Sequence, residues 1–284
     1  KKIIIKISKF LIIILNKFLS IFRLTIVPLH YYTPLTELKI IPNHKLLEKA
    51  DFSKINYDQN ESLLFLDNLE KHIQYFSKLD HFDMGQLRGY GKGYGFLERI
   101  ILQSFCMLSA LKDLNYEFEM LIVDPFISKE LETLVGKNLN ITIIKEKAEN
   151  VEINKYLNFN SDFLFIDTSH AVKPLGDVDF IYNRLLPKIK RCIIHIHDIF
   201  FPYLYQSNIK ENPWYQWCES QLLYCYLTNN RKSKIILDTS ELFHNRKDVF
   251  VKKFPNVKLA KFEKGLRIDK DKDRYFPTSI YLEQ

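Results

Sequence analysis

Glycine is scarce in this chain, with eight in 284 residues, which excludes collagen-like and glycine-rich linker architectures. Cysteine is scarcer still. The four, Cys106, Cys192, Cys218 and Cys225, stand in apolar surroundings without a CxxC pair, so neither a zinc ribbon nor a small disulfide framework is expected. They read as buried free thiols of a reducing compartment. No internal repeat or low-complexity segment occurs, which excludes a solenoid. Acidic residues are missing altogether from residues 1–27. That segment carries Lys1, Lys2, Lys6, Lys9, Lys17 and Arg23, six of the net seven positive charges, leaving +1 for residues 28–284. A nucleic-acid binder spreads basic surface over its folded domain, so no nucleic-acid partner is expected. Long uncharged apolar runs are also lacking near this end. The longest, Phe10–Leu15, is far short of the ~20 residues that cross a bilayer. No small-residue cleavage site follows it, so no secretory signal is expected.

What is present fits a folded protein. The chain is 46% hydrophobic and 26% charged, enough to bury a core, and its length accommodates one large α/β domain with an N-terminal extension. In residues 1–27 the polar positions Lys2, Lys6, Lys9, Asn16, Lys17, Ser20 and Arg23 recur at helical spacing among Ile, Leu and Phe. The pattern predicts a cationic amphipathic helix with a wide apolar face. Two surfaces are open to that face: a membrane interface with anionic headgroups, or the protein's own domain. The expected setting is the cytoplasm, peripheral to the inner face of the membrane.

Residues 28–80 read as a Pro-containing lead (Pro28, Pro34, Pro42) ending in a helix over 61–79, and residues 81–284 as the main domain. Five of the eight glycines fall within Gly85–Gly95. Beyond them the periodicity predicts alternating elements: helices over 96–114, 128–134, 177–186 and 214–228, and strands over 118–123, 141–144, 163–166, 192–197, 234–237 and 278–282. Short continuous apolar strands alternating with helices point to a mostly parallel sheet covered on both faces. Three strands end in a carboxylate, Asp124, Asp167 and Asp198. Ligands of open α/β sheets sit at the carboxyl ends of the strands.

The run Phe163-Leu-Phe-Ile-Asp-Thr-Ser-His170, then Gly176-Asp177, Leu186-Pro187 and His195-Ile-His-Asp-Ile-Phe-Phe-Pro202, closely resembles bacterial class I S-adenosylmethionine-dependent methyltransferases. Trp217-Cys-Glu-Ser-Gln-Leu-Leu223, His30-Tyr-Tyr-Thr-Pro34 and Ser279-Ile-Tyr-Leu282 continue the likeness, which covers about two-thirds of the chain. The resemblance implies a Rossmann-like, doubly wound, mostly parallel seven-stranded sheet with helices on both faces and one antiparallel edge strand. It implies O-methylation of a small-molecule, glycan or lipid-linked saccharide hydroxyl. Asp124 matches the acid that bonds the cofactor ribose, since a carboxylate accepts from two vicinal hydroxyls; its other reading is a cap on the following turn. Glu149 falls where the family contacts adenine. Gly91, Gly93 and Gly95 would let the backbone approach the cofactor closely. Arg88, however, stands where the family carries an acid. That departure motivates the alternative of a non-catalytic binding or scaffold protein.

Asp167, at the border of the cofactor site, and Asp198 match the strand-end acids that hold a divalent cation, such as magnesium, in related catechol-type enzymes. Such a cation would lower the pKa of a substrate hydroxyl. The metal-free version uses His170 or His197 as general base beside Asp198. His195-x-His197-Asp198 lacks the further histidine of a hydrolase zinc site, and His195 has a core reading as well. Phe200–Tyr205, Trp214, Tyr215 and Trp217 read either as a lid over a sugar or ring acceptor or as core.

Overall fold

Short, largely apolar runs make strands where both faces can be covered, and four such runs build the central sheet. In a computed structural model of the chain, residues 2–22, 24–27, 41–77, 117–127, 129, 132–133, 140–156, 163–206, 209–210, 216–253, 255, 258–263, 265–269 and 276–284 are described. By its contacts the chain divides into two units, 1–42 and 43–284. The glycines Gly91, Gly93 and Gly95, and the helix expected over 96–114, lie outside the described residues.

The first unit contains helix α1 (Lys2–Leu19), continued by a tight turn over Ser20–Phe22. Lys17 in its last turn complements the helix dipole. Residues 24–27 then turn back along the helix: Leu24 N–H bonds Leu19 O at 3.0 Å. The Asn16 side chain both donates to Ile26 O at 2.9 Å and accepts from Ile26 N–H at 2.6 Å.

The second unit begins with helices α2 (Asn43–Leu46) and α3 (Gln59–Ser77). Strands β1 (Met120–Val123) and β2 (Ile141–Ile144) form a parallel pair. Strand β3 (Phe163–Ile166), helix α4 (Asp177–Phe180) and strand β4 (Ile193–Ile196) follow. The helix expected over 177–186 is present but changes pitch. It widens into a π turn over Ile181–Leu185 and tightens over Leu186–Lys188, where Pro187 cannot continue the ladder. Helix α5 (Glu219–Leu227), strand β5 (Lys234–Asp238) and helices α6 (Thr239–Asn245) and α7 (Lys247–Lys253) come next. A hairpin of β6 (Phe262–Glu263) and β7 (Leu266–Arg267), turning through Gly265, and strand β8 (Ile280–Glu283) complete the order.

The larger sheet runs β3-β4-β8-β5, with β3 and β4 parallel and β8 antiparallel to both its neighbours. The antiparallel strand therefore lies between β4 and β5, where an edge strand was expected. Its composition suits an internal place: Ile280 and Leu282 are fully buried on one face and Tyr281 packs on the other. The protein is thus mixed α/β, and sheets of four and two strands account for its main described strands.

Two apolar layers cover the four-stranded sheet. One joins Ile194, Ile196, Ile235, Ile280 and Leu282 to Val178, Leu186, Leu223 and Leu227 from the α4 and α5 segments. The other joins Leu237 to Leu66 of α3 and to Leu242, Phe243 and Phe250 of α6 and α7. Each fully buried Leu or Ile contributes about 1.5–3 kcal/mol. Ile235 and Leu237 are two residues apart yet serve opposite layers, because the register against β8 slips between them. Ser62 of α3 donates to the carbonyl of Ile236 at this bulge (3.2 Å). Helix α3, read from the sequence as the end of a lead, packs on β5 within the same unit as the sheet.

Candidate functional site

Parallel register sets the site. Ile166 of β3 pairs with Ile196 of β4, so Asp167 and His197–Asp198 emerge side by side at the carboxyl ends of adjacent strands. Both chains then make a sharp turn in the left-handed region, at His170 (φ 57°) and Asp198 (φ 56°). Side chains with a Cβ avoid that region unless their surroundings hold them there, and such strain concentrates at functional sites.

The surroundings of His170 are specific. Thr168 accepts the His170 N–H with its hydroxyl (2.9 Å) and donates that hydroxyl to Glu219 (2.6 Å). Ser169 gives both its N–H (2.5 Å) and its hydroxyl (2.7 Å) to Asp177 in the first turn of α4. The His170 carbonyl accepts from the backbone N–H groups of Cys218 (2.9 Å) and Glu219 (3.2 Å). Trp217 lies against the imidazole with ring centroids 4.5 Å apart. Thr168, Ser169 and His170 are thereby anchored, and the Trp217–Glu219 run docks on them.

Three carboxylates converge on the His170 ring. Its Nδ1 lies 2.7 Å from Glu219 Oε2, and its Nε2 lies 3.3 Å from Asp167 Oδ1 and 3.6 Å from Asp198 Oδ2. Burial alone would favour the neutral ring. The hydrogen bonds to Asp167 and Glu219 and the charges of Glu219 and Asp198 outweigh it and push His170 up to about 9. At neutral pH the ring is an imidazolium with no lone pair to offer, which conflicts with the neutral general base expected of it. His197, less buried, places Nδ1 3.3 Å from Asp198 Oδ1 and 3.9 Å from Asp167 Oδ1. Thr278 donates to Asp198 Oδ1 at 2.9 Å.

The Asp167 side chain is 1% accessible; beyond the His170 Nε2 contact at 3.3 Å on Oδ1 it accepts no hydrogen bond, and Oδ2 is without a partner, among the described residues. Buried orphan acceptors are uncommon and ask for a proton, a water or a cation. One atom each from Asp167, His170 and Asp198 lie within 4.8 Å of one another; the two carboxylates are oxygen ligands that can hold a divalent cation, a role the charged ring cannot share.

Asp124 is buried at the end of β1 and accepts the Phe126 N–H at 2.8 Å, the turn-capping arrangement. Burial raises its carboxyl pKa, the Phe126 bond opposes that, and the negative charge of Asp167 raises it further. The two acids therefore lie within electrostatic reach. Glu149 sits half-buried in the single turn Ala148–Asn150 and has no hydrogen bond or ion pair to the cluster. His195 belongs to the core. It stacks on Tyr281 (4.2 Å) beside Phe165 (5.0 Å), and burial, helped by the charge of His197, holds it down at about 3. The aromatic segment divides: Phe201 is core, whereas Phe200 stacks on Trp217 (6.3 Å) beside the cluster. Trp214 and Tyr215 lie outside the described residues.

Glu219, Thr168 and Asp177 were given no role by sequence reasoning. All three stood inside the motifs that carry the resemblance, and an acid in the first turn of a helix, as Asp177 and Glu219 are, ordinarily reads as dipole compensation. A depression of about 600 Å³ lined by Pro187, Lys190, Lys232 and Gln284 opens at the opposite end of β4, away from these residues. Comparison with protein-family models, with curated proteins and with solved structures finds no match for this chain.

Proposed function

We propose that the protein is an S-adenosylmethionine-dependent methyltransferase that methylates a hydroxyl of a small-molecule, glycan or lipid-linked saccharide acceptor. The observation that carries this is the buried Asp167–His170–Asp198 cluster at the ends of β3 and β4. It is assembled from the same residues that carry the sequence likeness to such enzymes. The β1–β2 and β3–β4 pairs are then the two flanks of one doubly wound sheet, the arrangement that binds ligands across its strand ends. In the same reading the enzyme works in the cytoplasm beside the inner face of the membrane.

Asp124 would bond the ribose hydroxyls of the cofactor, which when bound supplies an electrophilic methyl group. With the Nδ1–H of His197 directed at Asp198, the lone pair of that ring sits on Nε2, the atom that takes the acceptor hydroxyl's proton as the oxygen attacks. The His170 imidazolium keeps Asp167, Asp198 and Glu219 together against their mutual repulsion and acts as a positioning residue. The orphaned Oδ2 of Asp167 fits a divalent cation shared with Asp198, which would lower the hydroxyl pKa.

Titration calorimetry with S-adenosylmethionine tests the reading. The parent chain is expected to bind, and Asp124→Ala to weaken binding by roughly tenfold or more, the worth of a charge-assisted bond pair. Absence of binding by the parent, or equal binding by the variant, would overturn it. The turn-capping bond of Asp124 favours a second reading, a binding protein without catalysis. Methyl transfer from labelled S-adenosylmethionine to any cell-envelope fraction excludes that one.

A further inference from the structure

The first unit presents apolar side chains to solvent in an ordered pattern. Along α1, Leu11 lies three and four residues before Ile14 and Leu15, and these lie four and three before Phe18, which places the four on one helix face. All four are exposed, and Phe22 extends the stripe. Phe18 and Phe22 are each 60% exposed and meet edge to face at 5.7 Å. On the opposite flank Ile12, Asn16 and Leu19 are half-buried, and there the returning residues 24–27 are tied by Asn16 and by Leu19 O. The returning residues add exposed Leu24 and Ile26 to the same end of the helix. Asn16 thus closes a hook that carries exposed Ile21, Phe22 and Leu24 near its bend. Contiguous exposed apolar surface of this kind marks an interaction site.

Charge selects the occupant. Residues 1–27 hold six cations and no acid, while the remaining residues are nearly neutral. No described helix is long and apolar enough to cross a membrane. A cationic helix with an exposed aromatic and aliphatic face suits the headgroup boundary of an anionic bilayer, with the apolar side chains in the acyl region and the lysines among phosphates.

We infer that residues 1–27 form a membrane-docking hook that inserts Phe18, Phe22 and their neighbours into an anionic bilayer surface, with Asn16 as the clasp that sets its shape. Docking requires no cofactor, so its failure and the failure of cofactor binding are separate outcomes.

The test is flotation of the full chain with vesicles. The chain is expected to float with phosphatidylcholine–phosphatidylglycerol vesicles, to stay behind with phosphatidylcholine alone, and to be released by high salt as the headgroup attraction is screened. The double substitution Phe18→Glu with Phe22→Glu is expected to cut recovery by about tenfold. Both side chains are solvent-exposed, so an unchanged thermal unfolding midpoint is the accompanying control. Charge reversal at Lys6, Lys9 and Lys17 provides an independent variant and is expected to abolish the anionic preference. Asn16→Ala is expected to weaken binding with the charge unchanged. The inference is overturned by no flotation, by equal flotation with neutral vesicles, or by undiminished flotation of the Glu or charge-reversed variants. Self-association abolished by the Glu pair, without vesicle binding, would assign the face to a second copy of the chain instead.

Discussion

Glu219 is 1% exposed and bonds the His170 ring at 2.7 Å. A buried carboxylate beside an imidazole stabilises the charged ring, and removing the charge withdraws that support. Glu219→Gln keeps an acceptor for the Thr168 hydroxyl while removing the charge. It should therefore lower the His170 pKa from about 9 by about one unit or more, read by NMR titration of the ring with a chelator present. An unmoved pKa would mean that Asp167 and Asp198 alone set the charge of the ring. At this scale the sequence disclosed the identities but not the partnerships. Asp167, His170, His197 and Asp198 were visible as carboxylates and imidazoles at strand ends. That His170 is clasped by Glu219, 49 residues away, depends on where α5 docks, and no local pattern encodes that. His195 was open between site and core because period two places it on the same side as His197. Its pairing with Tyr281 across β8 makes it a core residue, and that contact depends on the last strand in the chain.

Among the elements, strands β3, β4, β5 and β8 were legible as short apolar runs, β3 at its expected bounds and the others shifted by one or two residues. Helices α6 and α7 and the β6–β7 hairpin were not read. The signal for α6 existed: Asp238-Thr-Ser-Glu241 is an N-cap acid followed at the third helical position by Glu. Asp238 Oδ1 indeed accepts the Glu241 N–H at 2.9 Å. The carboxyl is fully buried, its Oδ2 has no partner among the described residues, and burial holds its pKa well above the usual range. Its service is that of an acceptor rather than a charge. Asp238→Asn should keep the cap with stability within about 0.5 kcal/mol, whereas Asp238→Ala should cost about 1 kcal/mol in chemical denaturation. Equal stability of the two variants would remove the cap from the account of α6.

For the whole molecule these buried groups combine into a pH profile. His170, raised from 6.5 to about 9, contributes stability that is complete below pH 6.5 and is lost as pH rises through 9. The raised carboxyl of Asp238 acts in the same direction. Stability should therefore decline across pH 6.5–9 by an amount of about 3 kcal/mol from His170 alone. His195 and His244, held neutral at about 3 and about 4 chiefly by burial, act oppositely and destabilise as pH falls below 6.5. There the raised carboxyls partly offset them, so the acid limb is shallower than two histidines alone would give. Unfolding midpoints across pH 4–9 check the alkaline decline. His195→Phe should gain on the parent as pH falls below 6.5, and a constant difference between the two would refute the acid-limb assignment.

The bulge at Ile236 has a consequence for how β5 carries information. Its first half is written in one phase and its second half in the other, so a single strand addresses both apolar layers in turn. Deleting Ile236 would make Ile235 and Leu237 neighbours, which regular alternation already sends to opposite faces, so each would keep its layer and its β8 partner. Asp238 and the start of α6 would keep their side of the sheet, and the loss would fall on the Ser62 anchor. An extra or missing residue elsewhere in β5 has no such slack, and there a change of one residue is a change of address for everything downstream.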